Sequence, residues 1–449
     1  MGHITSKNYL SLQARLDKAP QGAPDSETLF KILEHLFTEK EAELVSKLPI
    51  RPFTIEKAMK IWNLPEVKAK KVLDGLADKA ILIDLAKDRE EKVYALAPPM
   101  AGFFEFSIMK MGGKFDKQLL SELYHQYLNV EDDFGKRVFA LYPAIGRTYV
   151  HEDTIQPKDK DIILDYEKVT KYIENSDFWA AGICYCRHKM EHLGKVCKAS
   201  MNVCMSFGAV GRSLCKSNVA KPLTKQEALD MVKKCRDEGL VQIGSNMQND
   251  FSWICNCCGC CCEALIAYKK LGYNPRIETN WYAENTIDKC TACGMCVKKC
   301  PVNAITLVKE PRDPHTSEGS KTFAKIDFDR CIGCGVCTRF CPPKSLKMER
   351  RKETNFVPMD TFERAVLQAI DSNTLQNLIF DNYHLWQYGV LRAALGIIFK
   401  LPPVKWTMAN RQLQSRFLTA VGNHYYKQNP EIFGGVKPDY SHQELNKKY

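Results

Sequence analysis

The chain has 449 residues, 45% of them hydrophobic and 26% charged, enough apolar side chain for roughly two to four cores and too ordinary a mixture for wholesale disorder. Its 20 cysteines follow no basic, apolar leader after Met1, so they read as the metal or redox thiols of a cytoplasmic protein and not as a secreted disulfide framework. The formal charge of +11 assumes neutral thiols; two thiolate-held [4Fe-4S] clusters would bring it to about +7 and three to about +5, a modest surplus for binding nucleic acid.

Residues 1–110 begin with Leu29, Ile32, Leu33, Leu36 and Phe37 at three- and four-residue spacing, the stripe of an amphipathic helix. After Pro49, Thr54 is placed to cap a short helix over IEKAMKIWN, and Pro65 suits the first turn of the next. Val67, Val72, Leu73 and Leu76 form the apolar stripe of that second helix. ILIDLAKDREEKVYAL then reads as two strands around a charged turn. Three helices and a two-stranded wing resemble a winged helix-turn-helix domain, a family whose second motif helix often enters a DNA major groove. Lys68, Lys70 and Lys71 fall on that helix, yet the wing, with Lys87, Asp88, Arg89, Glu90, Glu91 and Lys92, has no net charge to attract DNA. Structural or partner docking is the expected role, and nucleic acid is not the expected partner. Residues 111–180 read as a helical, aromatic-rich connector without chemistry of its own.

Every cysteine lies between Cys184 and Cys341, twelve of them in residues 181–282, read as a cysteine-rich α/β unit. Thr224 and Glu227 form a capping box for a helix that carries Leu229, Val232 and Cys235 on one side and ends at Gly239. That places Cys235 in a core, and Cys215 and Cys235, without partners at metal spacing, read as buried free thiols. The stretch GICYCRHKMEHLGKVCKASMNVCMSFG supplies Cys184, Cys186, Cys197 and Cys204, four soft ligands that suit a third iron-sulfur cluster. Arg187 is placed to offset cluster charge. His188 and His192 share a helical face, where hydrogen bonding is the more ordinary role than metal ligation. ICNCCGCCCEAL adds Cys255, Cys257, Cys258, Cys260, Cys261 and Cys262. Neighbouring cysteines cannot all aim at one cube. The loop therefore holds a fourth cluster with some thiols spare, or pools with Cys184 and Cys186 into one site. Cys257-Cys258-Gly259 resembles the cysteine-cysteine-glycine signature of heterodisulfide reductase catalytic subunits, which carry it twice where this chain carries it once.

Residues 283–349 hold the most informative pattern. Cys290, Cys293, Cys296 and Cys300-Pro301 form Cys-x2-Cys-x2-Cys-x3-Cys-Pro, and Cys331, Cys334, Cys337 and Cys341-Pro342 repeat it. Three thiolates at three-residue intervals converge on one face of a cube, with Gly294, Gly333 and Gly335 relieving crowding where the backbone wraps it. Zinc also uses Cys-x2-Cys pairs, but a trailing Cys-Pro given twice argues against it. The stretch closely resembles bacterial-type dicluster ferredoxins. That resemblance implies one [4Fe-4S] cluster on Cys290, Cys293, Cys296 and Cys341 and a second on Cys331, Cys334, Cys337 and Cys300. It also implies strands at AENTID and KTFAKIDF before the motifs and at AITLVK and SLKMER after them, while EPRDPHTSEGS between the repeats reads as a surface loop.

Residues 350–449 read as a helical C-terminal extension. Leu385, Trp386, Tyr388, Val390, Leu391, Leu395, Ile397, Ile398 and Phe399 stand beside Arg392, Lys400, Lys405, Arg411 and Arg416. Core packing is the first reading; an interfacial helix on anionic lipid at the inner face of the membrane, or a helix docked on a partner subunit, are the others. No run approaches the roughly 18 apolar residues of a spanning helix.

No Gly-x-Gly-x2-Gly fingerprint and no Gly-x4-Gly-Lys-Ser/Thr loop occurs in a fitting context, so flavin, nicotinamide and nucleotide chemistry are expected on partners. The chain reads as α+β and multidomain: a winged-helix-like domain, the connector, the cysteine-rich unit, a dicluster ferredoxin domain and the extension. The combination resembles iron-sulfur electron-transfer subunits of anaerobic redox complexes. The resemblance implies relay of single electrons to redox partner proteins carrying flavin or a catalytic metal centre, with no catalytic residue and no small-molecule substrate. Two other readings stay open: an iron-sulfur redox-sensing winged-helix transcription regulator, and a reductase acting on a disulfide or thiol through the Cys255–Cys262 loop.

Overall fold

The computed structural model describes residues 5–85, 92–113, 115–249, 251–270, 277, 279–309, 321–381 and 386–400. The expectations for Lys87, Asp88, Arg89, Glu90 and Glu91, for EPRDPHTSEGS, and for the side chains of Leu385, Trp386, Tyr388, Lys400, Lys405, Arg411 and Arg416 lie outside the described residues. The chain is a mixed helix and sheet protein of several cysteine-rich and cysteine-free units.

In the N-terminal unit, short polar residues start the helices by accepting the otherwise unpaired first-turn N–H groups. Ser26 accepts from Leu29 N–H at 3.0 Å and opens Glu27–Leu36, whose buried side holds Leu29, Ile32, Leu33 and Leu36. Thr38 and Glu41 close a capping box on Glu39–Val45, and Thr54 caps Ile55–Trp62. The next helix, Glu66–Asp78, follows Pro65 and buries Ala69, Leu73 and Leu76. Val67 does not belong to that stripe, being 81% exposed: two residues before Ala69, it is turned about 200° away at 3.6 residues per turn. Strands Leu82–Asp84 and Val93–Leu96 pair antiparallel, and Phe53–Thr54 joins on the other side of Val93–Leu96.

The middle of the chain forms a six-stranded sheet in the spatial order Gly146–Tyr149, Val241–Ser245, Trp253–Cys257, Cys204–Phe207, Trp179–Gly182, Ala220–Leu223. Every pairing is antiparallel, which corrects the α/β reading of this unit. The stretch 111–180 is likewise not a helical connector throughout. It contributes helices Lys117–His125, Asp133–Ala140 and Val169–Asn175, but also the edge strand Gly146–Tyr149, whose four residues are all buried and too few and too polar to display a strand period in sequence.

The two faces of the sheet have different jobs. One presents Met205, Phe207 and Ile254 to a core shared with Val169, Ile173, Ala228 and Val232 of helices Val169–Asn175 and Lys225–Glu238. The other presents Val241, Ile243, Cys255 and Cys257. That face is covered by helix Glu263–Lys270 and by Val302, Ala304, Ile332 and Val336 of the ferredoxin-like region, and farther along by the N-terminal core, which Ala180, Leu214 and Ala220 join. Period-two alternation thus aims the strand cysteines at the junction of three units.

In the ferredoxin-like region, Trp281–Asn285 pairs with Leu346–Arg350 and Ile305–Lys309 with Thr322–Ile326. The short helices Met295–Lys299 and Val336–Arg339 meet between them. The duplicated sequence therefore becomes a duplicated strand, loop, helix and strand. Beyond it run helices Thr361–Asp371, Leu375–Ile379 and Trp386–Lys400, and Arg51 grips Asp381 at 2.7 Å to hold the extension against the N-terminal unit. Val390, Leu391, Ile397 and Ile398 are exposed, so the core-packing reading fails for these four side chains. No helix among the described residues is long and apolar enough to cross a membrane.

Candidate metal centres

The ferredoxin motifs bend through left-handed backbone at Ala292 (φ 53°), Gly294 (φ 72°), Gly333 (φ 71°) and Gly335 (φ 82°), which is how a short loop turns successive thiols to one side. Gly333 is required twice over, since a Cβ there would collide with Thr279 Oγ1 and the Trp281 carbonyl. Cys300, Cys331, Cys334 and Cys337 line one cavity whose remaining walls are Ala283, Pro301, Val302, Ala304, Ile305, Ile332, Met348 and two glycines. Four thiols around an otherwise apolar cavity are the donor set of a thiolate-held cluster. Burial pushes the Cys337 thiol well up, and the neighbouring Cys334, Cys331 and Cys300 add to it; a cationic iron core reverses that penalty.

The other motif set shares an adjoining core, with Cys296 buried, Cys290 and Cys341 half-buried beside it, and Cys293 exposed on its loop. Ala304 N–H donates to Cys300 Sγ at 3.2 Å, and Cys341 Sγ lies 3.3 Å from Ser345 Oγ. Burial raises the Cys290 thiol, but the N–H groups of Ala324 and Ala292 and the side chains of Asn285 and Ser345 outweigh it and hold the group below its usual value. Donors of this kind stabilise thiolate sulfur and set cluster potential.

The remaining cysteines do not divide as the sequence spacing suggested. Cys184, Cys186, Cys197 and Cys204 are not one set, because Cys197 leaves the other three. Contacts run from Cys184 to Cys186, Cys186 to Cys262, Cys262 to Cys257, Cys257 to Cys255 and Cys255 to Cys204. The sheet explains this. Cys255 and Cys257 share a face of one strand, and the register Met205 to Ile254 sets Cys204 opposite Cys255. Mutual hydrogen bonding divides the six into donors and acceptors, holding Cys184, Cys255 and Cys262 down and Cys186, Cys204 and Cys257 up. Arg187 is fully buried beside them and donates from Nη1 to the Asn256 carbonyl at 3.1 Å. Its side chain is hydrogen-bonded to Cys258, and its charge is felt by Cys184, Cys258 and Cys257. Six converging sulfurs beside a buried guanidinium fit an anionic iron-sulfur cluster.

The second group joins Cys197 to Cys258, Cys260 and Cys261, all four sulfurs lying within 4.8 Å of one another. It borders a pocket of about 560 Å³ lined by Cys197, Cys258 and Cys260 on one side and Cys300 and Pro301 on the other, with Lys198, Lys269, Lys298 and Lys299 around it. Gly259 lets the cysteine-rich loop press on the ferredoxin motif, since a Cβ would stand 2.6 Å from the Pro301 carbonyl oxygen.

Cys235 is fully buried with Val203 and Leu240, as its helix position implied, whereas Cys215 is only half-buried. His188 Nδ1 lies 3.2 Å from the Ile108 carbonyl oxygen, an ordinary hydrogen bond. Two features escaped the sequence reading. Lys189 and Glu263 form a fully buried ion pair completed by Asn129, which accepts from Lys189 at 2.9 Å and donates to Glu263 at 2.7 Å. Their one sequence signal is adjacency to cysteines, Lys189 in Cys-Arg-His-Lys and Glu263 after Cys262. Glu105 comes from the cysteine-free unit with no signal at all. Burial pushes its carboxyl up to about 7 against N–H bonds from Gly102 and Ala101, with Cys255 adding to the rise.

Residues 289–355 match the family model described as a 4Fe-4S dicluster domain. No curated protein and no solved structure matches the chain.

Proposed function

We propose that the chain, built around the dicluster ferredoxin domain at 289–355, is an electron-transfer subunit of an anaerobic oxidoreductase complex. It relays single electrons between partner proteins that carry flavin or a catalytic metal centre. Cys290, Cys293, Cys296 and Cys341 hold one [4Fe-4S] cluster, and Cys331, Cys334, Cys337 and Cys300 the other. A further cluster sits among Cys184, Cys186, Cys204, Cys255, Cys257 and Cys262. The observation that carries this reading is continuity: Cys300 and Cys331 pack in one core with Cys255, Cys257 and Cys262 and in another with Cys290, Cys296 and Cys341. Three redox sites in adjoining cores need no mobile carrier between them. The chain's own residues exclude water from these cores, donate N–H bonds to sulfur and, through Arg187, offset negative charge. We read the N-terminal unit as a winged-helix-like module used for docking, a reading supported by its helices followed by a small antiparallel sheet and by its Ala180-linked core lying against the cysteine face.

The test is iron and acid-labile sulfide per chain on anaerobically purified protein, with EPR during a reductive titration. About twelve irons in three reducible signals are expected. About eight would leave a dicluster ferredoxin domain and remove the middle cluster from the relay.

One observation favours a second reading. Val67, Lys68, Lys70 and Lys71 are all exposed on helix Glu66–Asp78, as a redox-sensing regulator's recognition helix requires. Duplex DNA binding that falls steeply with salt and changes on cluster reduction would establish it.

A further inference from the structure

The sulfur spacing in the Cys197 group differs in kind from that of a cubane site. Four thiolates at about 2.3 Å from one tetrahedral ion stand about 3.8 Å apart. A cubane puts each thiolate on a different iron, and its ligand sulfurs stand about 6 Å or more apart. Cys197 Sγ and Cys258 Sγ are 3.6 Å apart, Cys260 Sγ and Cys261 Sγ 3.7 Å, and no separation in the group exceeds 4.8 Å. Among the described residues, neither the eight ferredoxin thiols nor the six-thiol site, whose sulfurs touch only neighbour to neighbour along a run, brings three sulfurs all within 4.8 Å of one another.

We infer that Cys197, Cys258, Cys260 and Cys261 hold one mononuclear tetrahedral metal ion, and no iron-sulfur cube. Zinc is the ion that a closed set of four thiolates selects. This divides the run Cys255 to Cys262 cleanly: Cys258, Cys260 and Cys261 turn to the ion while Cys255, Cys257 and Cys262 turn to the six-thiol site. A divalent ion on four thiolates keeps a net charge of about −2. Arg187 on the interior side and Lys198, Lys269, Lys298 and Lys299 around the pocket supply the compensating charge. The ion pins the loop after helix Tyr185–His192 to the cysteine-rich loop, and with Gly259 against Pro301 it fixes the six-thiol site relative to Cys300. The inference does not rest on electron transfer, because the ion is counted apart from labile sulfide.

Zinc, iron and sulfide are measured on the full chain purified without air, together with zinc-edge X-ray absorption. One zinc per chain with four sulfur neighbours at about 2.3 Å and no iron neighbour is expected. Cys260→Ser, at the exposed ligand, should lower zinc by about tenfold and leave iron and sulfide per chain unchanged. A single sulfide-free iron lost in the same variant would support the mononuclear site with iron as its ion. Loss of about four irons with their sulfide in Cys260→Ser would overturn it. So would native protein with neither a four-sulfur zinc shell nor a sulfide-free iron, a result that needs no variant to fold. A protein without reducible clusters but with this zinc would sink the relay and leave the ion.

Discussion

The ferredoxin repeat and the cysteine-rich middle use the same ligand in opposite ways. In the repeat, three of four thiols per motif come from one loop, so the spacing along the chain is nearly the geometry of the site. In the middle, the six-thiol site draws on several distant segments, and what brings them together is a sheet. Cys204 meets Cys255 through strand register, and Cys255 and Cys257 act together because they are two apart on one strand. Linear spacing reports a metal site only when a loop, and not a sheet, delivers the ligands.

The largest effects that test this contrast come from the cysteines themselves. Cys334→Ser should remove about four irons and destabilise the region by several kcal/mol, because cluster binding and folding are coupled. Hydrogen exchange should show Trp281–Asn285 and Leu346–Arg350 opening while Glu27–Leu36 stays protected. Cys262→Ser, in the middle, should abolish the third EPR signal and leave both ferredoxin signals in place. If Cys262→Ser takes the ferredoxin clusters with it, the two regions are one cooperative metal unit and the contrast is wrong.

Next in size is the buried ion pair of the middle region. Lys189 and Glu263 are 0% and 5% exposed, and Lys189→Met strands the carboxylate in the interior at a cost of about 3–5 kcal/mol. Thermal unfolding of the apo and cluster-loaded protein should both fall, and Lys189→Met/Glu263→Leu should recover most of the loss, since removing both charges removes the desolvation penalty. A double variant as unstable as the single one would mean that Lys189 acts through packing.

Much of the architecture was legible in local pattern. The stripe from Leu29 to Leu36, the caps at Thr54 and Thr224 and the paired ferredoxin motifs all depend on contacts within a few residues, and such contacts leave a period or a spacing in the sequence. What stayed hidden is set by register and by faces. Cys197 parted from Cys184 and Cys186 because its loop faces Cys258 across 61 positions, and the polar edge strand Gly146–Tyr149 is held by a neighbour 90-odd residues away. Val67 shows the reverse failure, an apolar residue on the same helix that two helical steps from Ala69 turn to solvent.

The smallest expected effect separates the two regions most finely. Arg187 is charged, buried and close to Cys184, Cys257 and Cys258, whereas the ferredoxin loops draw on N–H donors. A reduced cluster is more negative than an oxidised one, so a nearby cation favours reduction and its loss lowers the potential. At an effective dielectric of about 20, one charge several ångströms away is worth about 2 kcal/mol, on the order of 100 mV for a single electron. Arg187→Gln should therefore shift the middle cluster's midpoint downward by that order in an EPR-monitored titration. Both ferredoxin midpoints should move less, because Coulomb interaction weakens with distance and the thiols on which Arg187 acts most are Cys184, Cys258 and Cys257. A uniform shift of all three would mean that Arg187 sets the field of one merged centre. No shift at all would place the third cluster away from the six thiols.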